Sequence, residues 1–544
     1  MAGKARSEVT KSLRRVTTNY ARLFLTLGLG IAEVIVLLKW MGPEAFGLIS
    51  LLGGTMGLVG IVREIISQSM IRELGAAFHS GDRAHFLRTY HACYVIAVRT
   101  TIFSAALFAG LIYALPHILN ISPDLMNAAY VFATASAISA CLFILCAPTF
   151  NMYVVRERFA FQNAWLVARR GCFPVTAILF WLVMPDAGPD EALIVYALVA
   201  NIASFVLLLL PVAAVWKRDA ELFPRANQTD RQTIRDVMGT FGWNSGVIFS
   251  MSMAERIPIL FVNWYFGLFG NAVYGVAWRL GAYARMITVG STFGLEAVTT
   301  RISSATDGAA RIPTFIRHTT RLHSWVAFPA GFALAILAEA LLTLWVGRSV
   351  ENPEEVIPVA IPVTQAVVVA MTTRGISEGW IRILYGDGHV RQYAPLVIIA
   401  SIAIPLLTWL AAETLPPPLD FNSPALAYAF VSIVAYVFLL PLWGARILGL
   451  RARNFVTPML RPALVTLASA PALIVAKELG VLDSLLGLFV AAAVFGLVYF
   501  GLSLVFVISP DERARALALI RALRQRGSGG PLPQRTDPSH EPHT

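Results

Sequence analysis

The sequence predicts an all-α integral membrane protein of about 14 transmembrane helices. Two parallel-repeat six-helix lobes would surround a central cavity, followed by two extra C-terminal helices. Three observations predict this. Apolar runs of about 20 residues recur from Tyr20 to Ile508, each long enough to cross a hydrocarbon core of roughly 30 Å. Basic residues crowd one side of those runs and acids the other. Two halves of the chain also echo each other at a nearly constant offset.

Of 544 residues, 57% are apolar and 14% charged, with a mean hydropathy of +0.67. Soluble domains sit near roughly 45–50% apolar and about 25% charged. The expected spans are 20–40, 46–66, 91–115, 127–148, 168–184, 192–215, 237–263, 272–295, 322–346, 357–380, 393–412, 424–443, 462–476 and 484–508. The first is read as a span and not a cleavable leader. It lacks a small-residue cleavage site, and the next run follows directly after the turn Met41-Gly-Pro-Glu-Ala45.

The net charge of +11 is explained by its placement. With both termini cytoplasmic, 34 of the 43 Lys and Arg residues lie in or at the edges of cytoplasmic segments. The outer loops hold only Arg348 and Lys477, and they collect acids such as Asp186, Asp190, Glu191 and Glu354. That asymmetry is the positive-inside pattern, so the basic balance reflects topology and implies no nucleic-acid partner. Cys93, Cys141, Cys146 and Cys172 fall in or beside spans without metal-ligand spacing, and read as small buried hydrophobes with no metal expected. The chain has neither a Walker loop nor a Gly-rich dinucleotide fingerprint. No cofactor is expected, and any transport would draw on an ion gradient, the membrane potential or the substrate's own gradient.

The repeat shows best in its turns. Trp40-Met-Gly-Pro-Glu-Ala-Phe-Gly47 follows the first span, and Tyr265-Phe-Gly-Leu-Phe-Gly-Asn-Ala-Val-Tyr-Gly275 follows the seventh. Aligning Gly42 with Gly267 gives an offset of 225, and Gly47 with Gly275 gives 228. The stretch Gly81-Asp-Arg-Ala-His-Phe-Leu-Arg88 likewise resembles Gly308-Ala-Ala-Arg-Ile-Pro-Thr-Phe-Ile-Arg317, with an offset of 229. Six spans separate the copies, so both share one orientation. The organisation follows as an N-lobe (1–216, spans 1–6), a cytoplasmic linker (217–236) and a C-lobe (237–450, spans 7–12). Spans 13 and 14 (451–508) and a cytoplasmic amphipathic, disordered tail (509–544) complete it.

The turn "LLKWMGPEAFGLISL", the polar seventh span with "GLFGNAVYGVAWRL", and "RISS…DG…FIRHTTR" resemble lipid-linked oligosaccharide and polysaccharide flippases. These belong to the multidrug/oligosaccharidyl-lipid/polysaccharide exporter superfamily, and the resemblance covers roughly residues 15–450. It implies a two-lobed transporter that flips an undecaprenyl-diphosphate-linked glycan across a bacterial inner membrane by alternating access. Membrane lipids, and a glycan polymerase or glycosyltransferases, are the partners it implies. Fourteen spans fit the polysaccharide and lipid II branches better than the drug-efflux branch.

A charge at the bilayer centre costs about 2.5–3.5 kcal/mol, so it calls for a partner or a wet cavity. The spans carry the cations Arg22, Lys39, Arg99, Arg256, Arg279, Arg285 and Arg374, and the acids Glu33, Glu255, Glu339 and Glu378. Lys39 can snorkel outward and Arg22 to the cytoplasmic face, and Arg374 with Glu378 can pair along one helical face. Glu255 and Arg256 are neighbours, about 100° apart around a helix, so each needs a different partner. Counting depth from the turn pairs Glu255 with Arg279 and leaves Arg256 and Arg285 facing a cavity. Arg presents a fork that matches phosphate oxygens, which makes Arg99, Arg256, Arg279 and Arg285 candidate ligands for a diphosphate. Glu33 and Glu255 would face each other from repeated helices as sites of proton or sodium coupling. Pro258 is the expected bend of span 7. The simpler alternative is that these charges brace one helix against another. The glycines Gly47, Gly53, Gly54, Gly57 and Gly60 read as close-packing contacts.

Two other functions fit parts of the pattern. A cation-coupled multidrug or small-molecule antiporter would favour an acidic cavity. With Glu64 and Glu296 at the span boundaries counted, cations and acids are nearly balanced, seven to six, and the surplus of Arg is awkward for cationic drugs. A non-transporting membrane scaffold of a glycan-assembly complex would need none of these charges in a cavity.

Overall fold

The structure, a computed structural model, describes residues 2–225, 229–239, 242–292, 295–304, 306–350, 352–510 and 512–514. The expected amphipathic and disordered tail therefore lies almost wholly outside the described residues. Every regular element among the described residues is helical.

Two helices are too long to be single spans: α1, Ala2–His79, and α7, Trp243–Val289. The 47 residues of α7 would run roughly 70 Å if straight, at 1.5 Å per residue, more than twice a hydrocarbon core. One glycine interrupts each: Gly42 (φ 79°, ψ 175°) in α1 and Gly267 (φ 62°, ψ −159°) in α7. Both occupy a region of backbone space open essentially to glycine alone.

At both points the chain doubles back. Asn271 donates to the Ile259 carbonyl at 2.9 Å, although a straight helix would hold residues twelve apart about 18 Å from each other. The Arg279 guanidinium likewise reaches both Glu33 and the Phe46 ring, which lie on either side of Gly42. Each long helix is thus a hairpin, and the same rare glycine conformation stands at matched positions of the repeat. Among the described residues, eleven helices, or twelve with the pair Ala310–Ile336 and Ala338–Gly347 bent by 67°, are long and apolar enough to cross a membrane. The sequence predicts fourteen spans, and this count of eleven or twelve takes each hairpin as one helix.

The hairpins pack on each other reciprocally. A Cβ on Gly47 would strike the Leu268 carbonyl, and one on Gly275 would strike Ser50. Gly54 and Gly57 also admit side chains of α7, Ile259 and Arg256, whereas Gly53 and Gly60 face open space. Three of the five glycines expected to be packing contacts therefore are.

The N-lobe is completed by α2 (Arg83–Ile118), α3 (Met126–Val155), α4 (Phe159–Val183) and α5 (Pro189–Arg218). Asp82 caps α2 by accepting from the His85 amide at 3.0 Å, and that hydrogen bond holds its carboxyl below the usual range. The linker helix α6 (Arg231–Gly239) buries Val237 in the same core as Phe86 and Tyr90. Ion pairs Arg156–Asp219 and Arg83–Glu221 fix the start of the linker to the N-lobe.

The C-lobe continues through α8 (Leu295–Ser303), α9 (Gly308–Ile336), α10 (Ala338–Leu342), α11 (Pro353–Gly386) and α12 (Val390–Thr414). It closes with α13 (Ser423–Val431), a π-helical stretch Ser432–Leu439 and α14 (Leu440–Ile447). The chain divides into compact units Met1–Pro458 and Met459–Thr544. The helix α15 (Arg453–Ser469) begins before that boundary; in the second unit Pro471 opens α16 (Pro471–Glu478), and Ser484 caps α17 (Leu485–Phe506).

Candidate functional site

A cavity of about 450 Å³ lies where the two hairpins meet. Glu33, Arg170, Glu255, Arg256 and Arg279 supply its charge, and Phe132, Phe173 and Trp278 supply aromatic wall. Three guanidinium groups and two carboxylates thus share one apolar-walled space.

Glu33 is the centre of the first charge cluster and only 2% exposed. It pairs with Arg170 from α4 and with Arg279 from α7 at 3.3 Å, and it accepts from the Tyr196 hydroxyl at 2.7 Å. Arg279 also donates to the Gly30 carbonyl at 3.3 Å. Guanidinium groups lie over aromatic rings here, Arg170 over Phe173 and Arg279 over Phe46, each 5.5 Å from the ring centre. The N-lobe acid is therefore shared between an arginine of its own lobe and one of the other.

The second cluster is a ladder of alternating sign. Arg374 pairs with Glu255 at 3.2 Å, and Glu255 with Arg285 at 2.8 Å. Arg285 pairs with Glu378 and Glu378 with Arg382, both at 3.0 Å, and Arg382 reaches Glu296 at 2.8 Å. All six residues belong to the C-lobe. The π-helical stretch sets Tyr436 against Arg374, whose guanidinium lies 5.3 Å from the ring centre, while Tyr428 Oη stands 3.3 Å from Arg374 Nη1. Only the Glu255 end of the ladder opens onto the cavity.

Several sequence expectations change on this geometry. Arg279 pairs with Glu33, not with Glu255, because depth along a helix leaves azimuth undetermined. Arg279 and Arg285 are six residues apart, about 120° around α7, so they turn to opposite lobes. Arg285, expected to face the cavity, is held by Glu255 and Glu378 and does not line it. Glu378 takes Arg285 and Arg382 as ion-pair partners instead of Arg374. Arg99 is exposed on α2 and lines no part of the cavity. Pro258 borders the cavity within a helical stretch, and the interruption of α7 falls at Gly267.

Four of the named residues do converge. Glu33, Glu255, Arg256 and Arg279 all line the cavity, with the two acids contributed by the two hairpins. Arg256 diverges from Glu255 as neighbours on a helix must, lying against Gly57 with its Nη1 3.4 Å from the Gly53 carbonyl.

Two participants were missed. Arg170 was assigned to a cytoplasmic edge because the span was started at 168, whereas α4 begins at Phe159 and carries Arg170 in its middle. The polar tract Asn163, Arg169 and Arg170 marked a wet helix face that could have revealed it. Tyr196 lies inside the apolar run 192–215, where one phenol hydroxyl gives no signal in the sequence. Among the described residues, no group of three His, Cys, Asp or Glu side chains could hold a metal ion.

No protein-family profile and no curated protein matches the chain by sequence. Its fold does have solved counterparts. The lipid II flippase MurJ in an inward closed conformation superposes with a TM-score of 0.67 at 12% identity, over 89% of this chain and 97% of that one. An inward-facing multidrug resistance MATE family transporter of the MOP superfamily gives 0.61 at 15% identity, over 80% and 98%. A MOP superfamily transporter from Pyrococcus furiosus, described as having a binding pocket of reversed polarity, gives 0.55 at 14%, over 80% and 95%.

Proposed function

We propose that this chain, a multi-pass membrane protein with the fold of MOP superfamily transporters, is a flippase. Its cargo would be a lipid (undecaprenyl) diphosphate-linked oligosaccharide, carried across a bacterial inner membrane by alternating access for surface polysaccharide synthesis. The observation that carries this reading is the convergence of Arg170, Arg256 and Arg279 on one cavity that, among the described residues, two acids line. A diphosphate offers several oxygens to such forks, and the low dielectric of the cavity strengthens each bond. A cationic drug would meet the surplus of positive charge as a barrier.

Coverage adds support. The MurJ superposition takes in more of this chain than the MATE one does. The excess is about as long as Arg453–Glu478 and Leu485–Phe506 together, the helices beyond the repeat. Positive-inside placement sets the basic ends in the cytoplasm and the Gly42 and Gly267 turns at the outer face. In the mechanism, headgroup oxygens replace the Gly53 and Gly30 carbonyls as partners of Arg256 and Arg279. The lobes then rock about the bound diphosphate. Proton or sodium coupling would fall to Glu255, 24% exposed, before the enclosed Glu33. Glycosyltransferases or a glycan polymerase would work on either side of this step.

Deleting the gene should make lipid-linked oligosaccharide accumulate on the cytoplasmic leaflet. Arg256→Ala should reproduce that accumulation while the protein remains folded in the membrane, read by leaflet-specific glycan labelling. Normal surface glycan in both strains, together with a changed susceptibility to cationic drugs, would transfer the assignment to the antiporter.

A further inference from the structure

Alternating access needs two seals that open in turn, and the end carrying the glycine turns holds one made of hydrogen bonds. Asn263 on α7 lies four residues before Gly267 and is 0% exposed. A buried amide is costly unless its groups are paired, and this one is well met. Its Oδ1 accepts from the Asn120 backbone N–H at 2.7 Å, and its Nδ2 donates to the Asn120 carbonyl at 2.9 Å and to Asn271 Oδ1 at 3.0 Å. The adjacent Trp264 donates its indole N–H to the Ile118 carbonyl at 2.6 Å. Ile118 and Asn120 end the N-lobe helix α2 and begin its loop, while Asn263 and Trp264 belong to the C-lobe. One turn of α7 therefore binds the main chain of the opposite lobe directly.

Two features suit this contact to repeated opening. Its groups are polar, so on separation each exchanges its partner for water at small net cost, which an apolar seal could not do. It is also not repeated residue for residue, although Trp345 of the C-lobe donates to the Ile31 carbonyl of the first hairpin at 3.2 Å. With Gly42 aligned on Gly267, Leu38 and Lys39 stand where Asn263 and Trp264 do, so the repeat does not require the contact. Gly267 belongs to the same arrangement, since a Cβ there would come to 4.0 Å from the Asn120 side chain.

We propose that Asn263, assisted by Trp264, is the latch that keeps the cavity closed toward the outer face and releases when the lobes rock. This rests on the alternating-access part of the proposed function and not on the identity of the cargo. The test uses the full chain with its four native cysteines replaced and one cysteine placed at Ile49, a cavity-lining position. A membrane-impermeant maleimide is applied from the outer side of vesicles of known sidedness. Asn263→Ala should speed labelling about ten-fold, as loss of two cross-lobe hydrogen bonds shifts the population outward, and Trp264→Phe should give a smaller rise. Cysteines at 120 and 263, joined by oxidation, should stop both labelling and transport until reduced. Unchanged labelling in both single variants, or full transport through the cross-linked protein, overturns the latch. Should Asn263→Ala fail to fold, Trp264→Phe and the cross-link decide the matter. A labelling rise without any glycan transport keeps the latch and removes only the cargo assignment.

Discussion

Glu33 and Glu255 precede matched glycine turns and line the same cavity, yet their ion pairs run in different directions. Glu33 binds one arginine of its own lobe and one of the other. Glu255 opens a ladder that stays within the C-lobe down to Glu296. A contact within a lobe can persist while the lobes rock, whereas a contact between lobes has to break and reform. Repetition of the backbone has therefore not repeated the electrostatics: one acid belongs to the interface between the lobes and the other to a network within one lobe.

The largest expected effect separates the two acids directly. Glu33→Ala leaves Arg170 and Arg279 facing each other without their shared anion. Breaking a buried pair in this way costs about 3–5 kcal/mol. Glu255→Ala should cost less, about 1–3 kcal/mol, because Arg285 keeps Glu378 and Arg374 keeps its contact with Tyr428. Thermal unfolding of the purified protein gives the order, and a Glu255 variant less stable than the Glu33 variant would reverse the comparison.

Double-mutant cycles sharpen the same contrast. Glu33→Gln with Arg279→Gln should show a coupling of about 0.5–3 kcal/mol, as contacting residues do. Glu255→Gln with Arg279→Gln should be additive within about 0.5 kcal/mol, since the two side chains serve different clusters. Strong coupling in the second cycle would restore the pairing first expected from depth alone.

The hairpin interface yields a third test. Gly47→Ala drives a methyl into the Leu268 carbonyl, where no side chain can swing aside, and should cost about 1–3 kcal/mol. Gly53→Ala, in open space on the same arm, should leave stability within about 0.5 kcal/mol of the parent. Equal effects would mean that the two arms do not approach as described.

What the sequence disclosed follows from what the bilayer penalises. Charges inside an apolar run are conspicuous, and that exposed Glu33, Glu255, Arg256 and Arg279 as residues of one site. Glycines in matched turns revealed the repeat, because no other residue tolerates the backbone found at Gly42 and Gly267. Azimuth was hidden, since it depends on which helix lies opposite, and so Arg279 and Arg285 were exchanged in role. Arg170 was lost to a span boundary set too late. Asn263 and Asn271 escaped because a neutral amide leaves the charge count unchanged, although both are fully buried.

The smallest effect is expected at Arg99, which shares charge and depth with the site arginines but not their surroundings. It is exposed on α2 beside Val98, Ile102 and Phe103, each more than two-fifths exposed, a face that meets lipid in a membrane. An arginine there extends its stem along apolar surface and carries its charge toward the headgroups. If the proposed function holds, Arg99→Gln should therefore leave glycan transport unchanged and stability within about 0.5 kcal/mol, where Arg256→Ala should abolish transport. If Arg99→Gln instead matched the Arg256 variant in leaflet labelling, the functional anion site would have to extend beyond the cavity between the hairpins.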